Sequence, residues 1–133
     1  MDYKYYNRTI RHHISFIFIW FMIIPIILFH LCLEVYHHIC FPLYGIKLLR
    51  ITNYVKMDRY KLKYLSLFDR VNCNYCGYAN GVMHYAKDIA AETEKYWCGI
   101  KHQDSKGYVR PEHHKNFVDY GDEKALHKKY SHK

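Results

Sequence analysis

The chain has 133 residues, enough for one small domain with appended segments, and carries a formal net charge of +8. Half of its residues are hydrophobic, a fraction typical of globular proteins. The sequence contains no phosphate-binding glycine loop, no serine nucleophile elbow and no paired-carboxylate setting. Hydrolase chemistry is therefore not indicated, and the sequence favours a non-enzymatic role.

The first long element is an apolar segment from Ile14 to Leu33, which contains no charged residue. At about 1.5 Å per residue, a helix of this length spans about 30 Å, the thickness of a bilayer's hydrocarbon core. All its faces are apolar, unlike a helix of a soluble protein, and it is longer than the apolar region of a cleavable signal peptide. We predict a mainly α fold in which residues 14–36 form a single transmembrane helix, preceded by a basic tail at residues 1–13.

The segment that follows, residues 37–57, is predicted to lie at the membrane interface, and Pro42 is expected to end the helix. Residues 47–71 carry seven cations and two anions, a net charge of +5. The predicted membrane-surface basic patch consists of Lys47, Arg50, Lys56, Arg59, Lys61 and Lys63. Cations beside a membrane segment are attracted to anionic head groups. We therefore expect a lipid bilayer with anionic head groups as a partner, with another membrane protein as a further candidate, and no nucleic acid.

Residues 58–102 are predicted to form a small helical domain with two amphipathic helices, at 59–71 and 80–97, because apolar residues recur there at helical spacing. Between them, the cysteines and Gly77 are expected to form a knuckle turn. Residues 103–133 are polar and predicted to form a tail, with a short helix at Asp122–Tyr130. The histidines of this tail are interpreted as solvent-exposed: His113, His114, His127 and His132.

The strongest motif in the chain is C-x2-C followed by C-x3-H, formed by Cys73, Cys76, Cys98 and His102. Two soft ligand pairs with short internal spacing are typical of a tetrahedral metal site, and zinc is the expected metal. A helix at 80–97 would hold the two pairs at its opposite ends. A joint site therefore requires either the knuckle or a loop after Cys98 to fold back along the helix. The motif predicts a structural zinc site in a membrane-anchored interaction module.

Other interpretations of the cysteines remain open. They are small residues that are commonly buried without any ligand. Cys73 and Cys76 could exchange thiols and disulfides, or the motif could hold an Fe–S cluster, which would make the protein a membrane-tethered redox protein. The end of the apolar segment is flanked by His30, Cys32, His37, His38 and Cys40. These residues could form a haem or copper site, but interfacial histidines and packing cysteines are the simpler interpretation.

Two blocks, NC-x-YCGYANG at residues 72–81 and YWC-x-IKH at residues 96–102, resemble the signature of an uncharacterised family of small bacterial single-pass membrane proteins. The resemblance covers roughly residues 35–125. In the family a proline often follows the third cysteine, whereas this chain has Gly99. The resemblance implies a membrane anchor and a three-cysteine motif but no reaction. With the distribution of cations, it predicts a bacterial inner-membrane protein whose C-terminal part faces the cytoplasm.

Overall fold

The computed structural model describes residues 9–131, which are mainly helical, as predicted. The helices are α1 (Thr9–Phe21), α2 (Ile23–Tyr44), α3 (Leu67–Trp97) and α4 (Glu123–Tyr130), with short 3₁₀ turns at Ile51–Asn53, Arg59–Lys61 and Glu112–Asn116. No strand longer than an isolated bridge occurs between residues 9 and 131. Residues 1–8 of the predicted basic tail, and His132, lie outside the described residues. The chain divides into two compact units, unit 1 at residues 1–86 and unit 2 at residues 87–133.

Helices α1 and α2 contain the predicted apolar segment and are separated only by Met22. Pro25 explains the interruption, because it has no amide hydrogen to donate to the carbonyl of Phe21. Helical hydrogen bonds continue on both sides of this gap, from Met22 to Phe18 and from Ile26 to Met22. The stretch His13–Tyr44 is long and apolar enough to cross a membrane, and only 6% of its most apolar window is buried.

Helix α2 ends at Tyr44, and the prediction that Pro42 ends it is wrong by a few residues. Proline removes one amide donor but does not prevent a further half turn. The helix stops at Gly45, whose φ of 71° is the left-handed conformation that glycine adopts readily. The amide of Ile46 then donates to the carbonyl of Phe41 at 3.0 Å, which closes the helix end.

In unit 1, the first part of α3 packs lengthwise against α1 and α2. The contacts, in chain order, join Phe16 to Phe68 (ring centroids 5.1 Å apart), Trp20 Nε1 to Asn72 Oδ1 (3.2 Å), His30 Nδ1 to Tyr78 Oη (2.9 Å), and His37 Nδ1 to Tyr85 Oη (2.9 Å). Because residue numbers rise together in both partners, these helices run parallel. The connecting segment, residues 45–66, therefore has to return along them in the opposite direction.

Two glycines of α3 let this connecting segment approach closely. A β-carbon at Gly77 would lie 2.5 Å from the carbonyl oxygen of Lys56. One at Gly81 would lie 2.8 Å from both the carbonyl oxygen of Tyr54 and the Cα of Val55. Backbone atoms cannot easily yield, so the spacing of four residues between these glycines provides a flat strip on the helix surface.

The predicted knuckle turn at Cys73–Gly77 is wrong, because these residues are helical. Instead of two helices at 59–71 and 80–97, one helix runs from Leu67 to Trp97. Ser66 caps its start, since its Oγ accepts a hydrogen bond from the Asp69 amide at 3.1 Å. The glycines that suggested a turn are tolerated within the helix because they serve packing.

Unit 2 contains the end of α3, a loop, the last 3₁₀ turn and α4. The Val118 amide donates to the Gly99 carbonyl (2.7 Å) and the Lys101 amide to the Val118 carbonyl (2.8 Å), which fastens the loop to the later chain. The buried residues are Ile89, Ala91, Gly99, His114, Phe117 and Val118. The short helix predicted at Asp122–Tyr130 is confirmed as α4. Part of the segment expected to form a polar tail is thus folded and contributes to a core.

Candidate metal centre

The structure does not bring the four predicted ligands together. Cys73 and Cys76 lie within α3, whereas Cys98 follows its last residue. At about 1.5 Å per residue, the helix rises about 30 Å between Cys76 and Trp97. In the part of the chain that the structure describes, neither predicted ligand pair, Cys73 with Cys76 or Cys98 with His102, belongs to a group of three potential metal ligands. The Cys3His zinc site is therefore wrong as a geometric prediction, and an Fe–S cluster on the same residues meets the same obstacle.

The thiol-exchange interpretation gains no support from the surroundings of Cys73 and Cys76. All five cysteines are free thiols. Cys73 is the seventh residue of α3 and lies beyond the first turn of the helix. The arrangement differs from a redox C-x-x-C, whose attacking cysteine stands at a helix N-terminus.

One group of potential ligands, Glu34, His37 and His38, lies near the end of α2. His37 is fully buried, and its Nε2 accepts a hydrogen bond from the Leu49 amide at 3.0 Å. This fixes the proton on Nδ1, which donates to Tyr85 Oη at 2.9 Å. Tyr85 Oη in turn lies 3.5 Å from the Leu49 carbonyl, so the hydrogen bonds close a cycle. Neither nitrogen of His37 has a free lone pair, and His37 has a structural role here.

Burial, reinforced by the nearby Glu34 carboxyl group, raises the pKa of the Tyr85 phenol. The phenol therefore remains protonated at physiological pH and can supply the donor that completes the cycle with the Leu49 carbonyl.

The other group, Glu94, His113 and His114, lies entirely in unit 2. Glu94 projects from the last part of α3, and the two histidines belong to the 3₁₀ turn Glu112–Asn116. The Nε2 atoms of His113 and His114 lie 2.6 Å and 3.1 Å from Glu94 Oε2. Both imidazoles thus contact the same carboxylate, and the ligand atoms of the three residues lie within 4.8 Å of one another, close enough for one metal ion to bind them all.

His102 approaches the same carboxylate from the loop after α3. Its Nε2 lies 3.9 Å from Glu94 Oε1, and its ring lies 5.6 Å from that of His114. Of the four predicted ligands, it is the one that the structure places beside a ligand group. Its side chain is 67% exposed, so it has room to move toward a bound ion.

The electrostatics of this group favour a charged carboxylate. Burial works against ionisation of Glu94, but the hydrogen bonds with His113 and His114 outweigh it and hold the pKa of Glu94 below its ordinary value. Three imidazoles and a carboxylate are donors that suit zinc. His114 is held between the Phe117 ring, stacked at 4.7 Å, and the perpendicular His113 ring. Its Nε2 faces the carboxylate, and its Nδ1 is buried with no hydrogen-bond partner among the described residues.

Sequence reasoning missed Glu94, His113 and His114. Glu94 looked like part of the polar face of an amphipathic helix, and the histidines like part of a solvated tail. The available signal was the adjacent pair His113-His114 followed by Phe117 and Val118, because apolar residues that close to a histidine pair indicate burial.

The predicted basic patch is exposed at each of its positions, Lys47, Arg50, Lys56, Arg59, Lys61 and Lys63. A cavity lies beside two of these lysine and arginine residues and is lined by Lys47, Arg50, Glu34, His38 and Tyr85, among others. The patch is therefore available for contact with a charged surface.

Comparison of the chain with protein-family models, with curated proteins and with solved structures finds no match.

Proposed function

We propose that the protein is a membrane-anchored zinc-binding interaction module, with Glu94, His113 and His114 as ligands and His102 as the fourth donor. The observation that carries the proposal is the convergence of two histidines on one carboxylate oxygen, at 2.6 Å and 3.1 Å. These residues are some 20 positions apart in the chain, so their meeting requires the fold. A zinc ion here would supply a tetrahedral link between α3 and the 3₁₀ turn.

A structural role is the one we favour for this ion. Closed shells of four protein ligands are typical of structural zinc, whereas catalytic sites keep a position open. His102 would close the shell. Unit 2 is small, and few of its described residues are buried, so a metal link would add stability that its core does not supply.

The membrane part of the proposal is supported by α1 and α2. The length, apolarity and exposure of His13–Tyr44 suit an environment of lipid. The net charge of +5 over residues 47–71 suits the anionic lipids of the cytoplasmic leaflet. We accordingly place the protein at a bacterial inner membrane on its cytoplasmic side, where another membrane protein would be the partner of the module. The family resemblance of the two cysteine-containing blocks agrees with this assignment.

Elemental analysis of the detergent-purified full chain tests the metal assignment. We expect about one zinc per chain, the value for a single four-ligand site. The triple variant Cys73→Ser, Cys76→Ser, Cys98→Ser should retain the zinc, because none of these thiols belongs to the ligand group. The variant His113→Gln should lose it, whereas His127→Gln, on the exposed surface of α4, should behave as the parent protein.

Loss of zinc in the cysteine triple variant, with retention in His113→Gln, would contradict the assignment. Far-UV circular dichroism of each variant, recorded without added metal, separates the loss of a ligand from the loss of the fold. The measurement is sensitive because α-helices dominate the signal of this chain.

A further inference from the structure

Helices α1 and α2 present two different surfaces along their common length. The positions that are at least partly buried include one series at intervals of three or four residues, which defines one face: Phe16, Trp20, Ile23, Ile26, His30, Glu34, His37 and Phe41. Toward the end of α2, Leu33, Tyr36, Cys40 and Tyr44 are also partly buried. The remaining surface is apolar and open. Six of its residues, Ile17, Phe21, Ile24, Leu28, Leu31 and Val35, are each between 60% and 68% exposed. A surface of this extent exceeds what soluble proteins leave in water, so another apolar phase must cover it.

The partly buried face is covered by the first part of α3 and by the connecting segment, residues 45–66. The contacts of Phe16, Trp20, His30 and His37 with α3 extend from residue 16 to residue 37, over nearly all of the charge-free window of residues 14–33 and beyond its end. The connecting segment lies at the same level, because the Lys56 carbonyl faces Gly77, the neighbour of the His30 partner Tyr78. The first part of α3 and the connecting segment therefore lie beside the apolar helix, and in a membrane they would be at the same depth as that helix.

This arrangement conflicts with a helix that crosses the bilayer. A crossing would carry Lys56, Asp58 and Arg59, all exposed, into the hydrocarbon core. It would also expose the irregular backbone of residues 55–58 to lipid tails. Lipid-exposed irregular backbone does not occur at that depth, and charged side chains there are costly unless they face protein or water.

We infer that α1 and α2 lie in the plane of the membrane and enter one leaflet by their open apolar surface, with the first part of α3 and the connecting segment on the water side. The inference rests on the proposed membrane attachment and specifies its form. Helices of this kind sink about 5–10 Å into the boundary between head groups and acyl chains. The occupant of the apolar surface is a bilayer with anionic head groups, because the exposed lysines and arginines of residues 47–71 would then stand at head-group level.

The two arrangements differ in where the ends of the apolar helix lie. We would introduce Arg11→Cys or Lys47→Cys into a full chain whose five native cysteines are replaced by serine. Both positions are exposed and lie beyond opposite ends of the charge-free window. Labelling with a membrane-impermeant maleimide is then compared in intact and permeabilised bacterial spheroplasts. The in-plane helix predicts that both sites are labelled to the same extent, and only after permeabilisation if the protein is cytoplasmic.

Labelling of one site before permeabilisation and of the other only after it would overturn the inference but leave membrane attachment and the zinc site standing. A different outcome would be a protein that carbonate washing releases from the membrane fraction and that runs as an oligomer. A second copy of the chain would then cover the apolar surface, and the proposed membrane attachment would be contradicted as well.

A second measurement keeps the native cysteines. In the variant Trp97→Phe, Trp20 is the remaining tryptophan. Trp20 belongs to the face that contacts Asn72 and Tyr75 on α3, so the in-plane helix predicts stronger fluorescence quenching by shallow than by deep brominated lipids. Stronger quenching by deep bromine atoms would place Trp20 inside the hydrocarbon core and contradict the inference.

Discussion

Replacing His37 by alanine is expected to lower the free energy of unfolding of unit 1 by about 2–4 kcal/mol, the cost of leaving buried polar groups without partners. The Leu49 amide, which donates to His37 Nε2 at 3.0 Å, would lose its acceptor. Tyr85 Oη would lose the hydrogen bond from His37 Nδ1 and keep its 3.5 Å contact with the Leu49 carbonyl. A loss of this size is a large part of the stability of a small domain. Thermal unfolding in detergent, followed by circular dichroism, measures it.

The neighbouring His38 provides a matched control. Its side chain is 57% exposed, and it interacts with Glu34 of its own helix. We expect His38→Ala to cost less than about 1 kcal/mol, as for exposed ionic contacts. The variant His37→Gln should recover part of the loss, because its amide oxygen can accept from the Leu49 amide. Equal effects of His37→Ala and His38→Ala would show that the hydrogen-bonded cycle does not stabilise the packing.

Glu94→Gln should weaken zinc binding by more than about a hundredfold, since changing groups that merely support a ligand already costs 10- to 100-fold. The substitution preserves shape but removes the charge on which His113 and His114 converge. It would also remove the stabilisation that zinc gives to the folded protein. Isothermal titration with zinc gives the affinity, and the shift of the unfolding temperature with added zinc gives the linked stability.

Glu92→Gln is the appropriate comparison, because Glu92 stands two residues away on α3 and pairs with Lys95 at 2.6 Å instead of with a histidine. Zinc affinity should be unchanged in this variant. His102→Ala should give an intermediate loss if His102 closes the shell. Similar affinities for the Glu94 and Glu92 variants would mean that zinc, if bound, uses other ligands.

The long apolar helix could be predicted because composition alone determines it: twenty uncharged residues leave no alternative to an apolar environment. Its two-faced character was also present in the sequence. Trp20, His30 and His37 fall on one side of a helix with 3.6 residues per turn, and their side chains contact α3. The sequence pattern that distinguishes the two faces is weak, because most of the remaining residues on both faces of the helix are apolar.

The cysteine motif misled because ligand spacing and local structure were inferred together. Gly77 and Gly81 suggested a turn, and a turn made Cys73 and Cys76 look like a chelating pair. The two glycines instead allow the chain near Val55 to approach the helix closely. This contact joins segments that are distant in the sequence, so it cannot be predicted from the residues around the glycines alone. The Glu94 group was hidden for the same reason, since its members lie on a helix and on a 3₁₀ turn some 20 residues apart.

X-ray absorption at the zinc edge tests the metal centre most directly, because sulfur and nitrogen donors lie at different distances from the ion. Ligation by Glu94, His102, His113 and His114 predicts a first shell of nitrogen and oxygen atoms at about 2.0–2.1 Å, with the outer-ring scattering of several imidazoles. A shell of sulfur atoms at about 2.3 Å would contradict it, and would show that the cysteines bind the metal after all.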